Sequence, residues 1–436
     1  MSIPSLQGLQ TALSGLIAQQ TALDTTGNNI ANANTEGYSR ETALLEPNTP
    51  LPIAAISGYT GKGAQLGTGV TVATITRIRN QYLDAQYRTQ NSALGAAQTQ
   101  AETLTQAQTA FNEPSTAGIA TQLSNFWSAW NSLATSPTSE AAKQGVVEAG
   151  EQLASTFKEL SAQLATISSQ ATEKYNSLTG PSGEVEEIAN QIAQLNGQIK
   201  LSEEASQPPN EMLDRRDELL DKLSSLANIT VTEQPDHTDT VTFGDAAKPL
   251  VEGTTVNWPQ ALTEAAGGQL GALLNLTGAK GALTGLRTSL DEVASTLAST
   301  VNEHLVTPFF SGKTAATLQV AVESKEVEAS GTKNPGGNEV AREIAALRGG
   351  AAEQGYATLV ETVGSDVRAT KDDVTTLQGT VASISDQRQS VSGVSLDEEM
   401  TNLITFQRGY QASARTLTVM SEMLETLIEH TGAVGL

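Results

Sequence analysis

The chain has 436 residues and a formal net charge of -23, from 25 basic and 48 acidic side chains, which argues against binding to nucleic acid or to an anionic membrane surface. Aromatic residues make up 4% and apolar residues 38% of the chain, so elongated helical packing is favoured over a large globular core. The sequence contains no cysteine, which excludes disulfides, thiolate metal sites and thiol catalysis.

The N-terminal segment, residues 6–30, repeats apolar and small residues at alternating spacings of three and four. This spacing keeps one stripe of a helix turned towards a partner helix, so it predicts half of a coiled coil. From residue 1 to residue 35 the only charged side chain is Asp24. An uncharged polar surface favours a helix that packs against other protein, and the alternative is a low-charge helix of a soluble monomer. The seam positions are Leu6, Leu9, Leu13, Leu16, Gln20, Leu23, Gly27 and Ile30.

After Tyr38 the helical period stops. Residues 46–69 are rich in proline and glycine and predict a loop with a short extended piece, whereas the β-branched residues of 70–75 predict a strand. A long helix is expected over 78–111, and a further heptad pattern predicts a helix over 119–133.

The middle of the chain carries three consecutive helical repeats, over 150–178, 185–199 and 210–226, which predict a helical bundle. Asn210 is the predicted N-cap of the third helix. Residues 229–277 contain short β-branched runs separated by proline, aspartate and glycine, and they predict a small antiparallel β insert.

Helical patterns return over 283–304 and 356–388, and the run TLQVAV between them predicts one strand. The last forty residues then repeat the three-four alternation of the N-terminus, which predicts the second half of the coiled coil. Ser395 and Glu398 form a capping-box pattern at the start of this helix. Its seam positions are Leu403, Phe406, Tyr410, Ser413, Leu417, Met420, Leu424 and Leu427.

No pattern in the sequence indicates chemistry at a catalytic, cofactor or metal site. The three histidines lie far apart and none has a partner at metal-ligand spacing. The glycine-rich run around residues 61–63 lacks the GxxxxGK[ST] pattern of a phosphate loop. The acidic and basic residues of 214–222 alternate at helical spacings, which is typical of intrahelical ion pairs. We therefore expect no enzyme activity, no cofactor and no metal.

The two ends together resemble the bacterial flagellar axial proteins, the superfamily of rod, hook and junction subunits. The runs SGLIAQQTALDTTGNNIANANTEGYSRE and SVSGVSLDEEMTNLITFQRGYQASARTLTVMSEMLETLI are similar to its paired terminal signatures. The ending TEGYSRE resembles the hook-associated proteins of the hook-filament junction, since rod and hook subunits tend to read TxGFK there. LDRRDELL, at 213–220, is similar to a recurrent run of the same proteins. The N-terminal motif residues are Asn29, Asn32, Asn34, Thr35, Gly37, Tyr38, Ser39 and Arg40.

The expected fold is mainly α: an elongated helical bundle with terminal coiled-coil helices and a small antiparallel β insert. Residues 1–75 and 391–436 are expected to form one terminal domain, and the resemblance implies that it lines an inner tube. Each terminal helix has one apolar seam and few charges, so this domain should be disordered in the monomer. Residues 76–390 would be the body, including the insert at 229–277. In longer relatives a β domain follows the FF run, which is Phe309 and Phe310 in this chain, and residues 305–338 would be the reduced remnant of that domain.

The resemblance also implies a function: a structural subunit that assembles in a ring at the distal end of the hook and connects it to the filament. A hook or rod subunit, or an enzyme on an axial scaffold, is the alternative. The implied partners are further copies of the chain, hook subunits and a second junction protein on the filament side. An export chaperone would bind the C-terminal helix at Leu403, Phe406, Tyr410, Leu417, Met420 and Leu424.

The expected location is the extracellular flagellum, without membrane or nucleic-acid partners. A signal peptide opens with a positively charged segment before an apolar core, and the sequence has no such pattern. It also has no stretch of roughly 18 apolar residues, which a membrane helix needs. The resemblance implies export through the channel of the flagellum, without a cleaved signal.

Overall fold

The computed structural model describes residues 4–53, 64–330 and 336–431; of residues 4–6, 52, 53, 64–66, 430 and 431 it describes the backbone alone. Several of the sequence predictions therefore fall partly outside the described residues. They concern residues 1–3 and 432–436 of the expected terminal domain and the side chains of Leu6 and His430. They also concern residues 54–63, which include the glycine-rich run around 61–63, and residues 331–335 of the expected outer-domain remnant.

The two ends of the chain build one elongated unit. The long helices α1 and α11 pack along each other, and an antiparallel ribbon of β1 and β4 lies against α1. The register of the ribbon shifts between Leu44 and Leu45, and β2 pairs with β3 beyond it. The elements of this terminal unit are α1 (Pro4–Ala31), β1 (Glu41–Pro47), β2 (Leu51–Ile53), β3 (Ala64–Leu66), β4 (Val70–Arg77) and α11 (Leu396–Thr431).

The body is a bundle built around one long helix, α2, which contacts α10, α7, α6 and α4. Asn80 caps the start of α2, because its side chain accepts hydrogen bonds from the backbone N–H groups of Tyr82 and Leu83. The body helices are α2 (Gln81–Phe111), α3 (Ile119–Thr135), α4 (Glu140–Thr179), α5 (Glu184–Glu204), α6 (Asn210–Leu226), α7 (Gly268–Thr277), α8 (Ala282–Asn302), α9 (Glu339–Ala345) and α10 (Ala351–Ser392).

Short antiparallel sheets decorate the body. Four strands form a sheet in the order β5-β6-β7-β8, and β9 pairs with β10. Their bounds are β5 (Ile229–Glu233), β6 (Asp239–Phe243), β7 (Val251–Glu252), β8 (Thr255–Val256), β9 (Phe310–Ser311) and β10 (Gln319–Val320).

The structure confirms the mainly α class and corrects three local predictions. The loop with a short extended piece that was expected over 46–69 contains β2 and β3, which pair with each other, and the end of β1, which pairs with the distant β4. The expected β insert ends in the helix α7, whose leucines are buried against α2 and α4. Asn210 is the first residue of α6 and not its cap, and its side-chain amide donates to the carbonyl oxygen of Ile75.

The core of the body is built around an aromatic cluster. Trp130 on α3 lies against the ring of Phe309, with ring centroids 5.6 Å apart. The FF run therefore belongs to the core of the bundle, together with Ala315, Leu318 and Val322 from the same segment. A second core fills the space between α5, α6, α7 and the four-stranded sheet. Among the described helices, none is both long and apolar enough to span a membrane.

Candidate assembly site

The closest approach between α1 and α11 is made by small residues. A Cβ atom at Gly15 would lie 3.9 Å from the Cβ of Ser413, and one at Gly8 would meet the side chain of Met420. Further along, the open face of Gly409 lies against Gln19. Each step forward on α1 is matched by an equal step back on α11, so the two helices form an antiparallel pair.

The predicted seam of α11 faces α1. Met420 and Ser413 contact the glycines of α1, and the other seam residues of α11 are half-buried, except Leu427, which is 51% exposed. The half-buried seam residues are Leu403, Phe406, Tyr410, Ser413, Leu417, Met420 and Leu424.

The predicted seam of α1 lies on a different side of its helix from the stripe that meets α11. Gly8, Gly15 and Gln19 face α11, whereas Leu13 is 44% exposed and the neighbouring Ile17 is 53% exposed. The remaining leucine positions flank this contact and are half-buried: Leu9, Leu16, Leu23 and Ile30. The small residues of α1 face α11 because they let the two backbones approach closely. An apolar flank of α1, formed by Leu13 and Ile17, is therefore left uncovered in the single chain.

The motif loop, residues 32–40 between α1 and β1, folds back onto the end of α1. It is held there through Asn29, which is 1% exposed. The side-chain oxygen of Asn29 accepts from the hydroxyl of Tyr38 at 2.8 Å and from the backbone N–H of Glu41 at 2.9 Å. Its amide donates to the carboxylate of Glu399 on α11 at 3.1 Å. Burial raises the pKa of the Tyr38 hydroxyl, and nearby Glu41 adds to the rise. Asn29 therefore ties α1, the motif loop and α11 together.

Other motif residues shape the turn. Asn32 donates to the side-chain oxygen of Asn28, and Thr35 donates to Asn32. Gly37 has a φ of 80°, a conformation that glycine adopts most readily, and Asn34 is exposed.

Arg40 joins the motif loop to α11 and to the end of α10. Its guanidinium lies 2.6 Å from Glu398 and 2.8 Å from Glu399, and its backbone N–H donates to the carbonyl oxygen of Ser392. Glu398, which the sequence placed in a capping box, thus reaches across to the motif loop.

Ser39 connects the loop to the body. It is 1% exposed, and both its backbone N–H and its hydroxyl donate to the carboxylate of Asp214 on α6, at 2.8 and 2.7 Å.

Asp214 belongs to a buried cluster of charges, which we call the joint, at the meeting point of the terminal unit and the body. Asp217 on α6 lies 2.9 Å from Arg77, 3.4 Å from Arg79 and 2.9 Å from Arg88. Arg77 also lies 2.6 Å from Asp214. The residues of the joint are Arg77 on β4, Arg79 after it, Asp84 and Arg88 on α2, Asp214, Asp217 and Asp221 on α6, and Arg388 on α10.

Arg388 closes the joint from the side of α10. Its guanidinium lies 2.8 Å from both Asp84 and Asp221, and its central carbon lies 4.4 Å from the centre of the Tyr87 ring. Residues from β4 and α2, from α6 and from α10 therefore contribute arginine or aspartate to one ion-pair network, which joins the terminal unit to the body.

The electrostatics of Asp217 follow from this crowding. Burial by itself would raise its pKa, but Arg79, Arg88 and Arg77 outweigh burial and lower the pKa to about 2. A second buried pair lies nearby, where Arg216 is 2.9 Å from Asp239. There burial dominates and raises the pKa of Asp239 to about 6, although Arg216 opposes the rise.

The sequence prediction of intrahelical pairing on α6 holds for Glu218, which pairs with Arg215 and Lys222, and is wrong for the aspartates and Arg216. The signal was present, because Asp214, Asp217 and Asp221 are spaced by three and four and so share one helix face. Such a carboxylate stripe on a helix predicts cationic partners on neighbouring elements.

His237 and His304 do not form a site together, and the side chain of His430 lies outside the described residues. His237 lies 3.1 Å from Glu233 and His304 lies 3.1 Å from Glu343, and both pairs are partly exposed. In the described part of the chain, no three carboxylate or histidine side chains are arranged to hold a metal ion.

Comparison with known proteins identifies relatives for each part of the chain. Residues 104–264 match the model of the flagellar hook-associated protein FlgK helical domain. Residues 9–38 match the model of the flagella basal body rod protein, and residues 386–429 match that of the flagellar basal body rod FlgEFG protein C-terminal.

The chain is 30% identical to flagellar hook-associated protein 1 of Bacillus subtilis over 509 aligned positions, which cover 99% of both chains. It is 30% identical to flagellar hook-associated protein 1 of Escherichia coli K12 over 59% of this chain and 45% of that protein, so it spans less than half of that relative. A solved structure, the flagellar hook junction protein FlgK from Burkholderia pseudomallei, shares 24% identity over 50% of this chain and 43% of that one, with a TM-score of 0.44.

Proposed function

The chain belongs to the flagellar hook-associated protein 1 family, and from this premise we propose that it is a structural subunit of the bacterial flagellum that assembles at the distal end of the hook and connects it to the filament. The single observation that carries the assembly part of this proposal is the uncovered apolar flank of α1. Leu13 and Ile17 lie one turn apart on a helix that carries a single charge, which is typical of a surface that meets other protein.

The flank of α1 is suited to contacts between copies. With a net charge of -23, copies of this chain repel one another unless the touching surfaces carry few charges. The surface of α1 meets this condition, since Asp24 is its only charged residue. Leu13 and Ile17, both well exposed, provide apolar contact area on it. We therefore assign the side-by-side contacts of a ring to α1, with α11 held on its other face.

The joint would hold the body at a fixed angle to this ring. Its carboxylates and guanidinium groups are largely buried and each contacts partners from other segments. A network of this kind loses more on partial disruption than a surface ion pair does, because a charge left behind is buried without a partner.

Family membership places the protein with hook and other axial components of the flagellum; the individual partners are part of the proposal. They are hook subunits on one side, a second junction protein on the other, and an export chaperone at α11, with export through the flagellar channel. The residues assigned to the chaperone face α1 in the folded chain. A chaperone would thus bind α11 while α1 is detached from it.

The hook or rod alternative has less support. The rod-protein models match the two ends, whereas residues 104–264 match the helical domain of a hook-associated protein. No pair of described residues suggests an enzyme, and the family is structural.

The test is removal of residues 1–35 from the chain, expressed in cells that lack the native protein. Filaments should fail to attach to the hook. The purified variant should keep the helical circular dichroism signal of the body, because α2 to α10 do not depend on α1 for their cores. Filaments of normal number and length on these cells would contradict the proposal. The control is the full chain carrying Leu201→Ser, a change at an exposed side chain of the body that leaves α1 intact, and it should attach filaments normally.

A further inference from the structure

Most of the contact between α1 and α11 contains no charged group that would select one register of the two helices over another. Gly8, Gly15 and Gly409 present flat backbone to the opposite helix, and the side chains that meet them are uncharged. Seam residues of α11 are only half-buried here. The α11 positions that face Gly15 in the present register and after a slip of one heptad either way are Ser413, Phe406 and Met420, which are all uncharged. A slip of one heptad therefore places no charged side chain against this part of α1.

One end of the contact is different. Asn29 and Glu399 are each 1% exposed, and they are joined by a hydrogen bond of 3.1 Å. The other carboxylate oxygen of Glu399 lies 2.8 Å from the guanidinium of Arg40. Asn29 itself is held by the backbone of Glu41 and by the Tyr38 hydroxyl. Glu399 therefore has partners at this position that no other part of α1 offers.

We infer that Asn29 and Glu399 set the register of α11 against α1. In the antiparallel pair, a slip of one heptad in one direction would bring Glu399 opposite Ala22, which is 2% exposed and offers a methyl group. A slip in the other direction carries it past Ala31, where α1 ends. Either slip leaves a buried carboxylate without its hydrogen bonds, and a single buried polar pair is known to fix register in coiled coils for this reason.

The absence of native cysteines makes a direct test possible. In the double variant Gly15→Cys, Ser413→Cys, the Cβ atoms would lie 3.9 Å apart, within the usual range for a disulfide. In Gly15→Cys, Phe406→Cys and in Gly15→Cys, Met420→Cys, the disulfide can form only after a one-heptad slip. The purified full-length chain is oxidised, and the intrachain bond is quantified by mass spectrometry.

We expect the 15–413 disulfide to dominate in the otherwise unchanged chain. Adding Glu399→Leu should lower its yield at least about threefold and raise a slipped disulfide, since the loss of a buried charge pair removes the discrimination between registers. Asn29→Leu should act in the same direction. The matched control is Glu398→Leu, because Glu398 also contacts Arg40 but is 61% exposed, and it should leave the 15–413 yield unchanged.

Two outcomes would overturn the inference. One is a 15–413 disulfide that persists at full yield in both Glu399→Leu and Asn29→Leu. The other is failure of the 15–413 bond to form in the parent double variant, which would mean that the helices do not pair in this register. Circular dichroism of each variant reports whether the helices remain formed. Neither outcome depends on flagellar assembly, so the inference fails or stands separately from the proposed function.

Discussion

The body and the terminal unit bury their apolar residues to very different degrees. In the body, Phe126, Trp130 and Phe157 are 0% exposed and lie in a continuous core. In the terminal unit, the helix contact is made by glycines and half-buried side chains, and Leu13 and Ile17 remain in contact with solvent. The difference shows that the body has a buried core of its own, and it agrees with the proposal that other subunits cover the exposed flank of α1.

The largest expected effect of this difference is on proteolysis. We expect a protease to remove residues before about 75 and after about 390 well before it cuts the body, because cleavage follows the cost of local opening and the terminal contact buries little area. Mass spectrometry of the fragments over time measures the order of cleavage. Equal resistance of the ends and the middle would show that the terminal pair is already complete in the single chain.

A core substitution in the body should have the next largest effect. Trp130→Ala removes a fully buried ring that packs against Phe126 and Phe309, so we expect a loss of about 3–5 kcal/mol in the free energy of unfolding. Denaturant titration followed by circular dichroism measures it. The comparison variant is Leu201→Ala on the body surface, which is 67% exposed and should change stability by less than about 0.5 kcal/mol. Similar losses of stability from both variants would contradict the burial of Trp130 in the core of the body.

The sequence predicted the body far better than the joint or the terminal seam. Helix positions followed from apolar spacing because each helix buries its own stripe, as in α4 with Leu153, Phe157 and Leu164. The joint could not be assembled in this way, since Arg77, Asp217 and Arg388 are far apart in the chain and their partners are chosen by the fold. On α1 the leucine heptad was visible, but whether it faces α11 or the outside depends on how closely the backbones approach, and this is decided by the glycines.

The joint offers a third test, which lies between the two regions. Asp217→Asn leaves Arg77, Arg79 and Arg88 without their central carboxylate, and we expect a loss of about 3 kcal/mol in the free energy of unfolding. The matched control is Glu218→Gln on the same helix, whose exposed pairs with Arg215 and Lys222 should contribute less than about 1 kcal/mol. A loss of stability in Glu218→Gln as large as that in Asp217→Asn would mean that the joint contributes no more to stability than a surface ion pair does.

The same aspartate predicts how stability depends on acid. The pKa of Asp217 falls from its ordinary value of 3.8 to about 2 on folding, so its contribution is fully present above pH 4 and is lost as the pH falls towards 2. The shift corresponds to about 2 kcal/mol. Between pH 5 and pH 2, the free energy of unfolding should therefore fall more steeply with pH for the native chain than for Asp217→Asn. Denaturant titrations at a series of pH values measure it. Identical slopes for the two proteins would exclude this role of the carboxylate.

The smallest expected effect on stability is also the most informative about the terminal unit. Leu13→Ser and Ile17→Ser change side chains that are 44% and 53% exposed, so we expect the free energy of unfolding to change by less than about 0.5 kcal/mol. If the flank is a contact between copies, the double variant should nevertheless fail to support filament attachment in cells. Leu201→Ser serves as the control, since Leu201 is also apolar and is 67% exposed but lies on α5 of the body, away from α1. Normal attachment with the double variant would mean that the apolar flank of α1 is not the surface through which copies meet, and the assignment would pass to the exposed side of α11.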